Sequence, residues 1–219
     1  MKAKQISAAF AAQANPAKAA KMKAYMRGQF EYFGLPAPIY RAIAKPFLKE
    51  ACKQDDIDWN LVEELWKAPQ REMQYFAFDY LFAQRKHLKS VDLEKIKTLI
   101  QQKSWWDTTD SFDKLVGHLV KQDPILKETM LTWSMDEDFW LRRTAIDHQL
   151  GQKGETDAAL LEKIILNNLG SNEFFINKAI GWSLRDFART EQAWVKSFLQ
   201  KNREKLSALS IREASKHLE

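Results

Sequence analysis

A chain of 219 residues, 45% of them hydrophobic, has enough apolar side chains to bury a core, which excludes a disordered protein and fits a single domain over residues 1–219. Its 7 glycines and 6 prolines leave it poor in helix breakers, and its one cysteine, Cys52, excludes an internal disulfide and a cysteine zinc site. The net charge of +5 is uneven: residues 1–53 hold ten basic and two acidic side chains, a local +8, so the remainder carries −3. A basic end on a near-neutral body suits a polyanion partner, and lysines that merely solvate helix faces would look the same. No apolar run reaches the roughly 18 residues of a membrane span. The start, Met1-Lys2-Ala3-Lys4-Gln5, is not followed by the apolar stretch of a signal peptide. Cys52 fits a small buried hydrophobe in a cytoplasmic protein.

Along the chain, Asn15-Pro16 forms an N-cap followed by proline at the first helical position, which starts a helix over 17–30. Gly34-Leu35-Pro36-Ala37-Pro38 then interrupts the pattern. Apolar residues at three- and four-residue steps predict helices over 39–53, 59–67, 71–87, 92–103 and 105–121, then 125–133 and 138–150. The last four run over 157–169, 173–189, 192–200 and 211–218. No alternating strand pattern is present, so the class is all-α.

The helices repeat. Taking Glu72, Trp105, Phe139 and Phe174 as equivalent starts gives spacings of 33, 34 and 35 residues. The next position holds Met73, Trp106, Trp140 and Phe175, all large and apolar. Helical-pair solenoids have periods of about 34–47 residues, and their units stack to bury a continuous core beside a curved binding surface. Five residues beyond each start come Ala77, Asp110, Thr144 and Ala179, small in three units and acidic in one. A carboxylate in a partly enclosed slot loses hydration and needs partners or a function. The preceding position carries Arg143 and Lys178 in later units, so Asp110 either forms a structural ion pair with Arg143 or stands beside a cationic ladder as a catalytic group. Trp106 lies one helical turn before Asp110. Trp182 follows Lys178 by one turn on the last strong helix. Tryptophans at helical spacing usually belong to a core, although eight in this chain next to cations also suit nucleic-acid backbones and bases. The histidines His87, His118, His148 and His217 show no metal-ligand spacing, and no phosphate-binding glycine loop or cofactor motif is present.

Two long segments carry a family signature. Lys103-Ser104-Trp105-Trp106-Asp107-Thr108-Thr109-Asp110-Ser111 and Glu173-Phe174-Phe175-Ile176-Asn177-Lys178-Ala179-Ile180-Gly181-Trp182 resemble motifs of the AlkD-type DNA alkylation repair enzymes. Tyr25-Met26-Arg27-Gly28-Gln29-Phe30, Phe139-Trp140-Leu141-Arg142-Arg143 and Arg212-Glu213-Ala214-Ser215-Lys216-His217 fit the same family in the same order. The resemblance implies a right-handed α-α superhelix of HEAT-like repeats that holds duplex DNA in its concave face. It implies a DNA glycosylase that excises positively charged N3- and N7-alkylated purines without a tight base-flipping pocket, unlike the usual case.

By that resemblance the catalytic group comprises Asp110, which stabilises the oxocarbenium-like sugar and positions water, with Trp106 and Trp182 against the sugar-phosphate backbone. Tyr25, Arg27, Arg41, Arg143, Lys178, Arg185, Arg212 and Lys216 are the expected DNA-binding residues. Tyr25, Trp106, Asp110, Arg143, Lys178 and Trp182 are expected on one concave surface. No metal or cofactor is expected, the partner is double-stranded DNA carrying alkylated purines, and the expected form is a monomer. The chain departs from the family after Gly34, where it has a single arginine, Arg41, and at Gly151, where members often carry lysine. These departures keep alive a DNA-binding paralogue without excision activity; a helical-repeat scaffold for a protein partner is the third reading.

Overall fold

The structure, a computed structural model, describes residues 1–218. It contains thirteen α-helices and four short 3₁₀ turns, with no strand among the described residues. The chain divides into two compact units, Met1–Leu88 and a second that begins at Lys89.

The first unit contains α1 (Ala3–Ala11), α2 (Pro16–Tyr25), α3 (Ala37–Ala51), α4 (Trp59–Lys67) and α5 (Arg71–Ala83). Its core is built where α1 and α3 meet the α4–α5 pair, around Ile6, Phe10, Val62, Leu65 and Phe76, none of them exposed. The helix α1 was not expected from the sequence. Its apolar face, Ala3, Ile6 and Phe10, has helical spacing but lies in an alanine-rich stretch, and its start is marked only by Gln5, whose Oε1 accepts from the Lys2 N–H. The Asn15 carboxamide caps α2 as expected, accepting from the Lys18 N–H at 3.0 Å. That helix stops at Tyr25 rather than Phe30, because Arg27 and Gly28 take left-handed backbone conformations (φ 54° and 76°). Glu72 then fixes the following loop: its buried carboxylate accepts the N–H groups of Phe33, Gly34 and Leu35 at 3.0, 2.9 and 3.2 Å. Cys52, expected in the core, is exposed, because it follows Ala51, the last core-facing residue of α3.

The second unit is a succession of helix pairs: α6 (Leu93–Gln101) with α7 (Trp106–Gln122), α8 (Leu126–Trp133) with α9 (Phe139–Asp147), α10 (Ala158–Leu166) with α11 (Phe174–Phe187), and α12 (Gln192–Lys201) with α13 (Ala208–Ala214). The row α7, α9, α11, α13 packs neighbour on neighbour, while α6, α8, α10 and α12 cover its other side. This is the helical-pair repeat expected from the spacing. Acidic N-caps start several of these helices: Asp138 accepts from the Trp140 N–H, Asp157 from that of Leu160 and Glu173 from that of Phe175, each cap contributing about 1 kcal/mol. The helix expected from Ile211 begins earlier, at Ala208, because Ser207 caps it through the Ser210 N–H. The repeat register differs by one residue at α7. Trp105, not Trp106, joins the aromatic cluster at the helix starts, 6.0 Å from Trp140 and 5.6 Å from Phe175 between ring centroids. The next residue, Trp106, is half-buried.

Candidate active site

Two glycines set how closely the row of helices packs. A Cβ on Gly117 of α7 would lie 2.1 Å from the carbonyl oxygen of His148, just past the end of α9. A Cβ on Gly181 of α11 would lie 2.5 Å from Cβ of Glu213 on α13. Only glycine allows such approaches, and they bring the polar faces of neighbouring helices within hydrogen-bond reach.

Across the α7–α9 contact, Arg143 grips Asp110 with two parallel bonds, Nε to Oδ1 at 2.7 Å and Nη2 to Oδ2 at 3.0 Å. This fork-on-carboxylate geometry is the strong, directional form of the pair. Nη1 of Arg143 donates to the Phe175 carbonyl on α11 at 2.6 Å, so the guanidinium ties three helices together. Arg143 is 1% exposed, whereas 21% of the Asp110 side chain remains open to solvent. Burial alone would favour a neutral Arg143, but Asp147 and Asp110 outweigh it and raise its pKa, so it stays charged. The guanidinium, expected among the DNA-binding residues, is buried and holds Asp110.

From Arg143 the site continues to Trp182, whose ring lies 5.4 Å from the guanidinium and 5.5 Å from the ammonium of Lys178. A ring face between two cations is electrostatically favourable. Lys178 then turns to Glu213, with Nζ 2.8 Å from Oε1, and Arg185 and Lys216 reach Oε2 at 2.9 and 2.7 Å. One nearly buried carboxylate thus gathers three cations, a cluster of net charge +2, and the lysine hydrogen bonds hold the Glu213 pKa down to about 2. Arg212 projects exposed from the same helix, α13.

Asp110, Arg143, Lys178 and Trp182 are brought together on α7, α9 and α11, and Trp106 lies one turn before Asp110 on α7 and is half-buried. Tyr25, Arg27 and Arg41 belong to the first unit, where all three are exposed, Tyr25 to 72%. A pocket beside Trp182, lined by Leu150, Arg185, Asp186 and Arg189, is open to solvent. Among the described residues no three His, Cys, Asp or Glu side chains are grouped to hold a metal ion, and no helix is long and apolar enough to cross a membrane.

Four residues of this region were not singled out in the sequence. Glu213 was visible only inside the Arg212–His217 segment, as an acid among bases. Asp113 and Asp147 lie one turn after Asp110 and Arg143, a spacing that places them on the same faces, but their burial could not be read from it. Ser183 looked like an ordinary helix residue, and it bonds the Ile146 carbonyl and the Asp147 carboxylate across α11 and α9.

The family model described as DNA alkylation repair enzyme matches residues 6–218. A solved structure, described as a predicted DNA alkylation repair enzyme from Enterococcus faecalis, is similar at a TM-score of 0.86 and 36% sequence identity, over 94% of this chain and 96% of that one. No curated protein matches the chain significantly.

Proposed function

The chain belongs to the DNA alkylation repair enzyme family, which carries a role in DNA repair, and on that premise we propose that it is a DNA glycosylase excising N3- and N7-alkylated purines from duplex DNA. The observation that carries this reading is the Asp110 carboxylate, immobilised by a buried arginine that also lies against the Trp182 ring, yet 21% exposed. An alkylated purine of this kind is already cationic. Its bond to C1′ breaks with the electron pair leaving on the base, which departs neutral while the sugar becomes an oxocarbenium-like cation. A fixed carboxylate next to that carbon stabilises the charge as it develops, at no reorganisation cost. Water then adds to C1′ and loses its proton.

The open surroundings of Trp182 suit a substrate that needs no snug base pocket, since the leaving group is activated by its own charge. Trp106 and Trp182 offer ring faces to the sugar-phosphate backbone. The cluster on Glu213, with Arg212, supplies positive charge for phosphates. Arg143 is a positioning residue for Asp110. The protein acts without a cofactor, as a cytoplasmic monomer.

The test is release of 7-methylguanine and 3-methyladenine from alkylated duplex DNA, with Asp110→Asn as control. The variant keeps the side-chain shape and removes the charge, so excision should fall by roughly 10²–10³ while DNA binding holds or tightens. Wild-type excision by Asp110→Asn would sink the catalytic role. The two-pronged Arg143 bond also favours a second reading, in which Asp110 is a structural partner and the protein binds DNA without excising a base. In that case the wild type binds duplex and releases no cationic purine.

A further inference from the structure

A carboxylate clamped through both oxygens by one guanidinium is nearly neutral when viewed from a distance, and a neutral pair attracts a developing cation weakly. Asp110 is clamped in this way. Nη2 of Arg143, one of the two nitrogens that grip Asp110, also faces a second carboxylate: Oδ2 of Asp147, one turn later on α9, lies 3.7 Å from it. Asp147 is 2% exposed, and its other oxygen accepts from the Ser183 hydroxyl on α11 at 3.0 Å.

We infer that Asp147, held by Ser183, is a positioning residue whose charge offsets that of Arg143 and leaves Asp110 a net negative charge for the cationic sugar. This rests on the glycosylase reading. With both carboxylates ionised the group of Asp110, Arg143 and Asp147 carries −1; with Asp147 protonated it carries none, and Arg143 cancels Asp110 alone.

The groups facing Asp147 are Arg143 on its own helix, Asp110 and Asp113 from α7 and Ser183 from α11. Asp113 is buried with one carboxyl oxygen unpaired; burial and then the charges of Asp147 and Asp110 raise its pKa well above the ordinary value. Burial also raises Asp147, against the opposing pull of Arg143, to about 6. The inner carboxylate therefore takes up a proton at the acid edge of the neutral range. Excision is full above that point and declines as pH falls through it.

The experiment is single-turnover release of 7-methylguanine from alkylated duplex, with protein in excess, from about pH 5 to about pH 8, alongside duplex binding at each pH. Wild type should show an acid limb near 6. Asp147→Asn should be slower at the upper end by about ten- to a hundredfold, the range found elsewhere for side chains that hold metal ligands in place, with no limb near 6 and unchanged duplex affinity. Ser183→Ala removes a hydrogen bond that favours the charged carboxylate, so the limb should move up by about one pH unit. If Asp147→Asn does not fold, Ser183→Ala decides. An active wild type without the limb, an Asp147→Asn protein with the wild-type rate and profile, or a Ser183→Ala limb that does not move overturns the inference alone. A wild type that releases no base overturns it together with the glycosylase reading.

Discussion

Replacing Arg143 by methionine keeps much of the apolar stem and removes the charge. It strands Asp147, 2% exposed, with only the Ser183 hydroxyl as a partner, leaves the Phe175 carbonyl without its 2.6 Å donor, and releases both oxygens of Asp110. Removing one member of a buried ion pair costs about 3–5 kcal/mol, because the other charge is left uncompensated. At about 2–4 °C per kcal/mol for a chain of this length, the melting temperature should fall by about 6–20 °C. The loss should also depend on pH. Without Arg143 the Asp147 carboxyl, already raised to about 6, moves higher. A carboxyl whose folded pKa lies above its unfolded value weakens the fold at pH above both, and the penalty fades as pH falls through the folded value. Urea denaturation followed by tryptophan fluorescence at about pH 5 and about pH 8 measures both effects. A loss below about 1 kcal/mol at the higher pH, or equal losses at the two, would refute a buried, charge-coupled role for Arg143.

Two further outcomes follow from the packing and the charge map. Gly117→Ala should destabilise by about 1–3 kcal/mol, because its Cβ meets the His148 carbonyl oxygen at 2.1 Å. It should also lower excision, since the same helix contact holds Asp110 against Arg143; Gly154→Ala, with nothing within 4 Å, is the control that should leave excision unchanged. Binding to undamaged duplex should weaken steeply with salt, and Lys216→Ala should reduce the magnitude of the log–log slope by about 0.9, the share of one phosphate. An identical slope in the variant would show that this lysine contacts no phosphate.

Much of the architecture is local and was legible without a structure. The helices from α3 to α12 follow the three- and four-residue recurrence of apolar side chains, and Asn15, Asp138, Asp157 and Glu173 mark helix starts through bonds made within a few residues. The repeat spacing and the motifs around Asp110 and Trp182 pointed to one region of the second unit. The helix α1 was obscured because alanine serves a buried or an exposed face equally well. The early end of α2 depends on left-handed backbone at Arg27 as well as Gly28, and arginine gives no local sign of that conformation.

The partner choices were decided only in three dimensions. Arg143 and Lys178 occupy equivalent positions 35 residues apart, and each has a neighbouring helix on either side. Arg143 pairs back to Asp110 on α7, whereas Lys178 pairs forward to Glu213 on α13. Sequence spacing allows both directions. What selects between them is desolvation: packing at Gly117 and Gly181 seals the interior, and a charge enclosed there must take the opposite charge that the adjoining helix places within reach.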